Sequence, residues 1–163
     1  MEKKNNHPEK RLQEKAEEFY KASSDFNEKE DHWQEFFEEL RKILYYAMLF
    51  KTPEELIYER IDAEKPLLGV LNKEIERPTE EDLKTARNYL AEHELKKLDN
   101  AIENFLLISE SQLKAGKSLS IQDWISRLQG LLQMNGYAVL LTHSKISKKQ
   151  MQEKVKEEFE KFY

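Results

Sequence analysis

Apolar residues recur along this chain at intervals of three and four, the period that places side chains on one face of an α-helix. The clearest run is Trp33, Phe36, Phe37, Leu40, Ile43, Leu44, Ala47 and Met48. A second run, Leu95, Leu98, Ile102, Phe105, Leu106 and Leu113, stops at Gly116 and predicts the longest helix. A third, Ile121, Trp124, Ile125, Leu128, Leu131 and Leu132, stops at Asn135-Gly136, where a left-handed turn is expected. Val155, Phe159 and Phe162 line a last helix, and Leu12, Ala16, Phe19 and Tyr20 give a sparser stripe near the start.

Helix starts are marked as clearly as helix faces. Thr52 with Glu55, Thr79 with Asp82, Ser120 with Asp123, Ser147 with Gln150 and Asp31 with Gln34 each set a side-chain acceptor three residues before a residue that can reach back to it. Leu119 with Trp124 and Ile146 with Met151 add hydrophobic staples. After Pro53 at the first helical position, the helix is expected to run on until Pro66 disfavours helical geometry at Lys65, with Leu56, Ile57 and Ile61 on one flank. The helix begun at Thr79 is expected to carry Leu83, Ala86 and Leu90 on one side. Between these two helices, the segment with Gly69 and Pro78 reads as a loop. Only Tyr137–Leu141 is ambiguous between strand and helix. The pattern predicts an all-α fold: a single helical bundle-like domain of about six helices. A charged N-terminal helical arm is expected over residues 1–30, and the main helical domain over 31–163.

Composition narrows the function classes. Charged residues make up 36% of the 163, with four glycines and four prolines, as in amphipathic helices rather than sandwiches or barrels. A net charge of -5 gives no general attraction for phosphates or anionic lipid. The absence of cysteine excludes disulfides and thiolate chemistry. Neither an export signal nor an apolar run of membrane-spanning length is present, so a cytoplasmic protein is expected.

Candidate chemistry is sparse. His7, His32, His93 and His143 lack the paired spacing of a helical metal site, and the isolated glycines form no phosphate-cradling loop. No metal or cofactor is expected, and no catalytic residues. Glu59 and Asp62 lie three apart in the expected helix and could share acid/base work, but Arg60 and Glu64 beside them suit an ordinary surface ion pair. The last two helices resemble a DNA reader in their basic start, Lys148-Lys149-Gln150, yet the connection between them is much too long for a helix-turn-helix.

Several separated motifs carry a resemblance. IYERIDAEKP at Ile57–Pro66, TARNYL at Thr85–Leu90 with Glu94-Leu95, the pair Asp123-Trp124 and THSKIS at Thr142–Ser147 occur in the order and spacing of the C-terminal region of the RhuM-type virulence protein family. On these motifs the chain resembles that family over roughly Phe36 to Phe162. The resemblance implies a bacterial, phage- or island-borne protein and assigns no reaction. The DNA-binding, antirepressor-like N-terminal half of such proteins is not matched, being replaced by the charged helix before Asp31. Smaller departures are Pro53-Glu54 at an alanine-rich entry, Leu67-Leu68 in place of asparagine-methionine, and no glycine near Lys145.

The positions that carry over are Tyr58, Glu59, Arg60, Asp62, Lys65, Asn88, Tyr89, Asp123 and Trp124, which become the candidate ligand or interface residues. Two functions follow as expectations. One is a non-enzymatic interaction module that binds a protein partner or itself. The other is a nucleic-acid or phosphate-ligand regulator, antirepressor- or antitoxin-like, with Arg60 as the bidentate donor.

Overall fold

The computed structural model describes residues 7–139 and 144–163, and the described residues form seven α-helices and no strand. Helix α1 spans Pro8–Lys21, α2 Trp33–Leu49, α3 Pro53–Arg60, α4 Glu80–Leu83, α5 Glu92–Lys114, α6 Ile121–Met134 and α7 Lys148–Phe162. Short 3₁₀ turns intervene at Glu28–Glu30, Pro66–Gly69 and Ala86–Tyr89. The fold is all-α, as the periodicity predicts.

The predicted capping devices form at Thr52, Thr79, Ser120 and Ser147, where each hydroxyl accepts from the backbone N–H three residues on and the side chain there reaches back. Helix α1 begins on a device the pattern did not predict: Nδ1 of His7 accepts from the Lys10 N–H at 3.2 Å. The expected box at Asp31 and Gln34 does not form. The Tyr20 hydroxyl accepts from the His32 N–H at 3.1 Å, so α2 starts one residue later with no side-chain cap, and Asp31 instead accepts from the Trp33 N–H.

Two expected helices are shorter than their spacing suggests. Helix α3 ends at Arg60 rather than near Pro66 because the chain folds back on itself. The Asp62 N–H donates to the Leu68 carbonyl at 3.0 Å, and Asp62 Oδ1 accepts from the Glu64 N–H at 2.9 Å. Leu67 and Leu68 adopt left-handed backbone angles, φ 54° and 58°, an unfavourable geometry offset by complete burial of Leu68. Gly69, at φ 95°, lies so close to the Arg60 carbonyl that a Cβ there would collide with it. Glu59 and Asp62 therefore do not share a helix, and neither do Arg60 and Glu64.

The helix begun at Thr79 also stops early, at Leu83. The Thr85 hydroxyl returns to the Glu81 carbonyl, while the Asn88 amide and the Tyr89 hydroxyl donate to the carbonyls of Asp82 and Leu83. Side chains of the following 3₁₀ turn thus satisfy the groups a longer helix would have used. Helix α5, the longest, ends as predicted at Gly116, φ 76°. The Tyr137–Leu141 run extends beyond the described residues, and its described part, 137–139, belongs to no helix or strand.

Packing sorts the helices into two groups with a shared core. In the first, α1 and α2 pack on each other and on both α5 and α6. Phe19 of α1 stacks on Trp124 of α6 at 4.6 Å between ring centroids and meets Phe105 of α5 edge-on at 6.5 Å. In the second, α7 packs on α3, α4 and the Pro66–Gly69 turn, with Leu56, Ile57, Leu68, Leu83, Tyr89 and Val155 inside. Helix α2 packs on α3 and joins the groups. The stripe of α1 is part of this core: Leu12, Ala16 and Phe19 are fully buried.

Candidate functional site

Most of the sequence-predicted residues gather in the second group, around the end of α3. Arg60 leaves the last turn of α3 and presents both Nη groups to the carboxylate of Glu94 on α5, at 2.7 Å each, while Nη1 also donates to the Tyr89 carbonyl at 3.0 Å. Glu94 stands three residues beyond Ala91, whose backbone N–H it accepts at 2.9 Å, so one carboxylate both opens α5 and anchors α3. The Arg60 guanidinium holds Glu94 far below the usual carboxylate range, at about 2. The bidentate fork expected of Arg60 is formed, and an internal carboxylate fills it.

Asn88 is buried and fully engaged. Its amide nitrogen donates to Asp82, its amide oxygen accepts from Asn72 at 3.0 Å, and its backbone carbonyl accepts from the Leu71 N–H at 2.8 Å. Tyr89 is completely buried, which pushes its hydroxyl pKa up. Asp62 organises the return loop described above. Glu59 pairs at the surface with Lys51 at 2.8 Å, Tyr58 lies half-exposed beneath the Lys154 ammonium, and Lys65 is exposed.

The start of α3 is tied down as firmly as its end. The Thr52 hydroxyl contacts Ser144 Oγ at 2.7 Å, and Ser144 passes its own proton to the Ile146 carbonyl, so Thr52 is the donor. Glu55 accepts from the Thr52 N–H and, across the group, from the Lys145 N–H at 2.8 Å. Burial pushes the Glu55 pKa up, but these hydrogen bonds hold it below its usual value. At the opposite end of α7, the buried Glu158 accepts from the Ala63 N–H at 2.8 Å. The IYERIDAEKP, TARNYL and described SKIS stretches are therefore partners in space. Thr142 and His143 fall outside the described residues.

Asp123 and Trp124 are not brought to this cluster. Asp123 closes the cap of α6, and its carboxyl is held low by the Ser120 backbone N–H and hydroxyl. Trp124 is buried in the first group, with Nε1 donating to Ser23 Oγ at 3.2 Å. Helices α6 and α7, the pair weighed as a DNA reader, belong to different groups: α6 packs on α1 and α2, α7 on α3 and α4.

A polar network between the groups was missed by sequence reasoning. Glu9 of α1 accepts from the Tyr45 hydroxyl at 2.9 Å and lies near the guanidinium groups of Arg87, at 3.5 Å, and Arg41, at 3.7 Å. Arg87 forks onto Asp99 of α5 at 2.7 and 2.8 Å. Full burial, and then Glu9, push the Tyr45 hydroxyl pKa far up. One signal was available: Glu9 precedes Leu12 and Ala16 by three and seven residues, which puts it on the buried stripe.

Several grooves remain open, among them one of about 520 Å³ between α1 and α5, lined by Arg11, Glu103, Leu107 and Glu110, and two others. The first of these two, of about 420 Å³, lies between α2 and the starts of α3 and α7, where Glu35, Glu38, Glu54, Arg41, Lys42 and Lys148 bring both signs of charge. The second, of about 450 Å³, runs along the seam where α5 and α6 diverge, with Met48 and Leu132 at its base and Leu107, Ile108 and Tyr137 at its rim. Lys97 is the one charged residue lining it; Asn100, Asn104 and Asn135 supply the remaining polarity. Leu107 is 71% exposed, and Met134, beside Asn135 in the chain, is 87% exposed. Among the described residues, no three His, Asp or Glu side chains are grouped to hold a metal ion, and no helix is long and apolar enough to cross a membrane.

No curated protein and no solved structure matches the chain. A family model described as the Virulence protein RhuM family matches residues 5–163, which includes α1 and so extends the resemblance toward the N-terminus. Helices, polar joints and motifs are in this sense those of a family member: the chain belongs to the RhuM family of virulence proteins.

Proposed function

We propose that this protein is a non-enzymatic interaction module of the cytoplasm, acting through the α5–α6 seam by binding a protein partner or itself. The supporting observation is the seam's composition. In a chain that is 36% charged, a 450 Å³ groove with a single charged lining residue and apolar rims is an outlier. Depletion of charge around exposed apolar side chains marks the core of a protein–protein contact. The ligand reading centred on Arg60 has less support, because Glu94 and the Tyr89 carbonyl occupy the guanidinium.

Sedimentation over a wide concentration range, paired with recovery of partners from cell extract, tests the proposal. The expected result is association that Leu107→Glu removes and Glu38→Gln, in the charged groove, leaves intact. A strict monomer with no partner sensitive to Leu107→Glu would sink it.

A further inference from the structure

We infer that the charged groove between α2 and the starts of α3 and α7 binds a small zwitterion, a molecule with one carboxylate and one ammonium group, its carboxylate toward Arg41 and its ammonium toward Glu54. The groove shares no lining residue with the α5–α6 seam, and neither reading depends on the other.

Among the described residues, Arg41 Nε and Glu54 Oε1 are closed off from solvent and have no hydrogen-bond partner. Folded chains leave few buried polar atoms in that state, and those of charged groups are the costliest. Both belong to side chains that line the 420 Å³ groove and also a neighbouring one of about 300 Å³. They carry opposite charges, yet these two atoms do not bond to each other. Arg41 approaches Glu9 Oε2 only to 3.7 Å, beyond hydrogen-bond length, and its guanidinium stands 5.6 Å from the centre of the Phe37 ring. A group suited to fork onto a carboxylate therefore forks onto none, beside a carboxylate that lacks a donor. The Arg41 side chain is 22% exposed and forms part of both groove walls, so a turn of the guanidinium brings it to a ligand.

The walls select a molecule bearing both signs. Glu35, Glu38 and Glu39 oppose a simple anion, and Lys42 and Lys148 oppose a simple cation. The pairs these residues make are long, Lys148 to Glu38 at 3.6 Å and Lys42 to Glu39 at 4.0 Å, so close contact neutralises neither sign. Helix α7 opens on Lys148 and Lys149 with no acidic residue in its first turn, although the helix dipole favours an anion there. A carboxylate between Arg41 and that helix start supplies the anion, and Glu54, in the first turn of α3, receives the ammonium. A groove of about 420 Å³ is of the size that holds small ligands.

The ω-amino acids measure the span between the two charged ends. Glycine, β-alanine, γ-aminobutyrate and ε-aminocaproate are titrated at low salt into the isotope-labelled full chain and followed by its amide resonances, with butyrate and butylammonium as single-charge controls. At least one length should shift the Glu54, Ser147 and Lys148 amides saturably and bind at least about tenfold more tightly than either control, while Asn104 on the seam is unmoved. Glu54→Gln should abolish the preference for the zwitterion over butyrate, and Arg41→Gln should weaken both at least about tenfold. The urea midpoint of Glu54→Gln should match or exceed that of the wild type, because Oε1 has no bond to lose, and the preferred zwitterion should raise the wild-type midpoint more than the variant's. If Arg41→Gln fails to fold, Glu54→Gln alone decides. Amides unmoved by every zwitterion up to about 10 mM overturn the inference. A control that binds as tightly as the best zwitterion also overturns it, and so do shifts that survive Glu54→Gln unchanged.

Discussion

At the end of the molecule built from α3, α4 and α7, Arg60, Glu94, Asn88, Thr52 and Glu55 direct their hydrogen bonds inward, to one another and to backbone groups. Along the α5–α6 seam the reverse holds: Leu107 and Met134 stand in solvent and few polar groups intervene. The first region contains most of the residues by which the chain resembles its family. The second contains none of them. Residues dense enough in polar chemistry to form a recognisable motif can act as joints between helices, whereas a docking surface can be built from leucine, methionine and asparagine that form no motif. The difference is testable by substitution: inner joints should change stability and leave association alone, and seam residues should do the opposite.

Arg60→Ala is expected to have the largest effect. It leaves the Glu94 carboxylate, whose side chain is 16% exposed, without its fork, and removes a donor from the Tyr89 carbonyl. Breaking one side of such a pair costs about 3 kcal/mol, read as a lower urea midpoint at unchanged slope. Arg60→Lys should recover only part of this, since an ammonium cannot form the fork. A loss no larger than that of Glu59→Ala, whose partner Lys51 is exposed, would mean that water screens the Arg60 pair as it does a surface bridge.

Acid probes the same joint from the carboxylate side. Glu94 titrates at about 2 in the folded chain and near 4.5 when unperturbed. Its folded pKa is lowered, so the stability it contributes is fully present above pH 4.5 and is lost as the pH falls toward 2. Allowing for partial screening, the contribution is about 2 kcal/mol. Wild type and Arg60→Ala should therefore converge in stability as the pH is lowered through this window. A gap that stays constant from pH 6 to pH 2.5 would remove the ion pair as the cause.

Gly69→Ala should cost about 2 kcal/mol, combining a side chain at φ 95° with a collision against the Arg60 backbone. The loop at Leu67 and Leu68 must shift to relieve it, so protection of the Asp62 and Leu68 amides from hydrogen exchange should fall before that of α2. Thr52→Ala is smaller, about 1 kcal/mol for the lost cap, with a further small loss of the hydrogen bond to Ser144, whose hydroxyl keeps its bonds to Ile146. Thr52→Ser keeps both bonds and should retain most of the stability.

These joints also mark where the sequence stopped being readable. The caps at Thr52, Thr79, Ser120 and Ser147 were legible because acceptor and donor lie three residues apart, and the core stripes because helical period alone places them. The end of α3 was not. Pro66 advertises a stop, but the helix breaks at Arg60, where Gly69 and Leu68 return through space to receive it. Arg60 is expected from the sequence to fork onto a phosphate-bearing ligand or to pair with Glu64, whereas the fork it forms is to Glu94, 34 positions away and beyond any local rule. The box at Asp31 failed for the same reason: the Tyr20 hydroxyl reaches across twelve residues and resets the start of α2. The seam was hidden differently. Helical period puts Leu106 on the buried stripe and leaves Leu107 off it, but period alone does not show that Leu107 borders a groove, which needs α5, α6 and Met48 of α2 to be placed in space.

That neighbouring pair supplies the smallest expected effect on folding and the clearest separation of the two regions. Leu106 is 3% exposed and Leu107 is 71% exposed. Leu107→Ser removes apolar surface that is already in water, so the monomer's unfolding free energy should change by no more than about 0.5 kcal/mol. Leu106→Ser puts a hydroxyl into the core beside a cavity and must destabilise it. The informative measurement sets stability against association for both variants. Leu107→Ser should move association alone, while Leu106→Ser should move stability first and association only as far as unfolding carries it. If Leu107→Ser lowers the urea midpoint as Leu106→Ser does, its side chain packs within the chain and the seam is part of the core. The contrast between sealed joints and an open seam would then no longer hold.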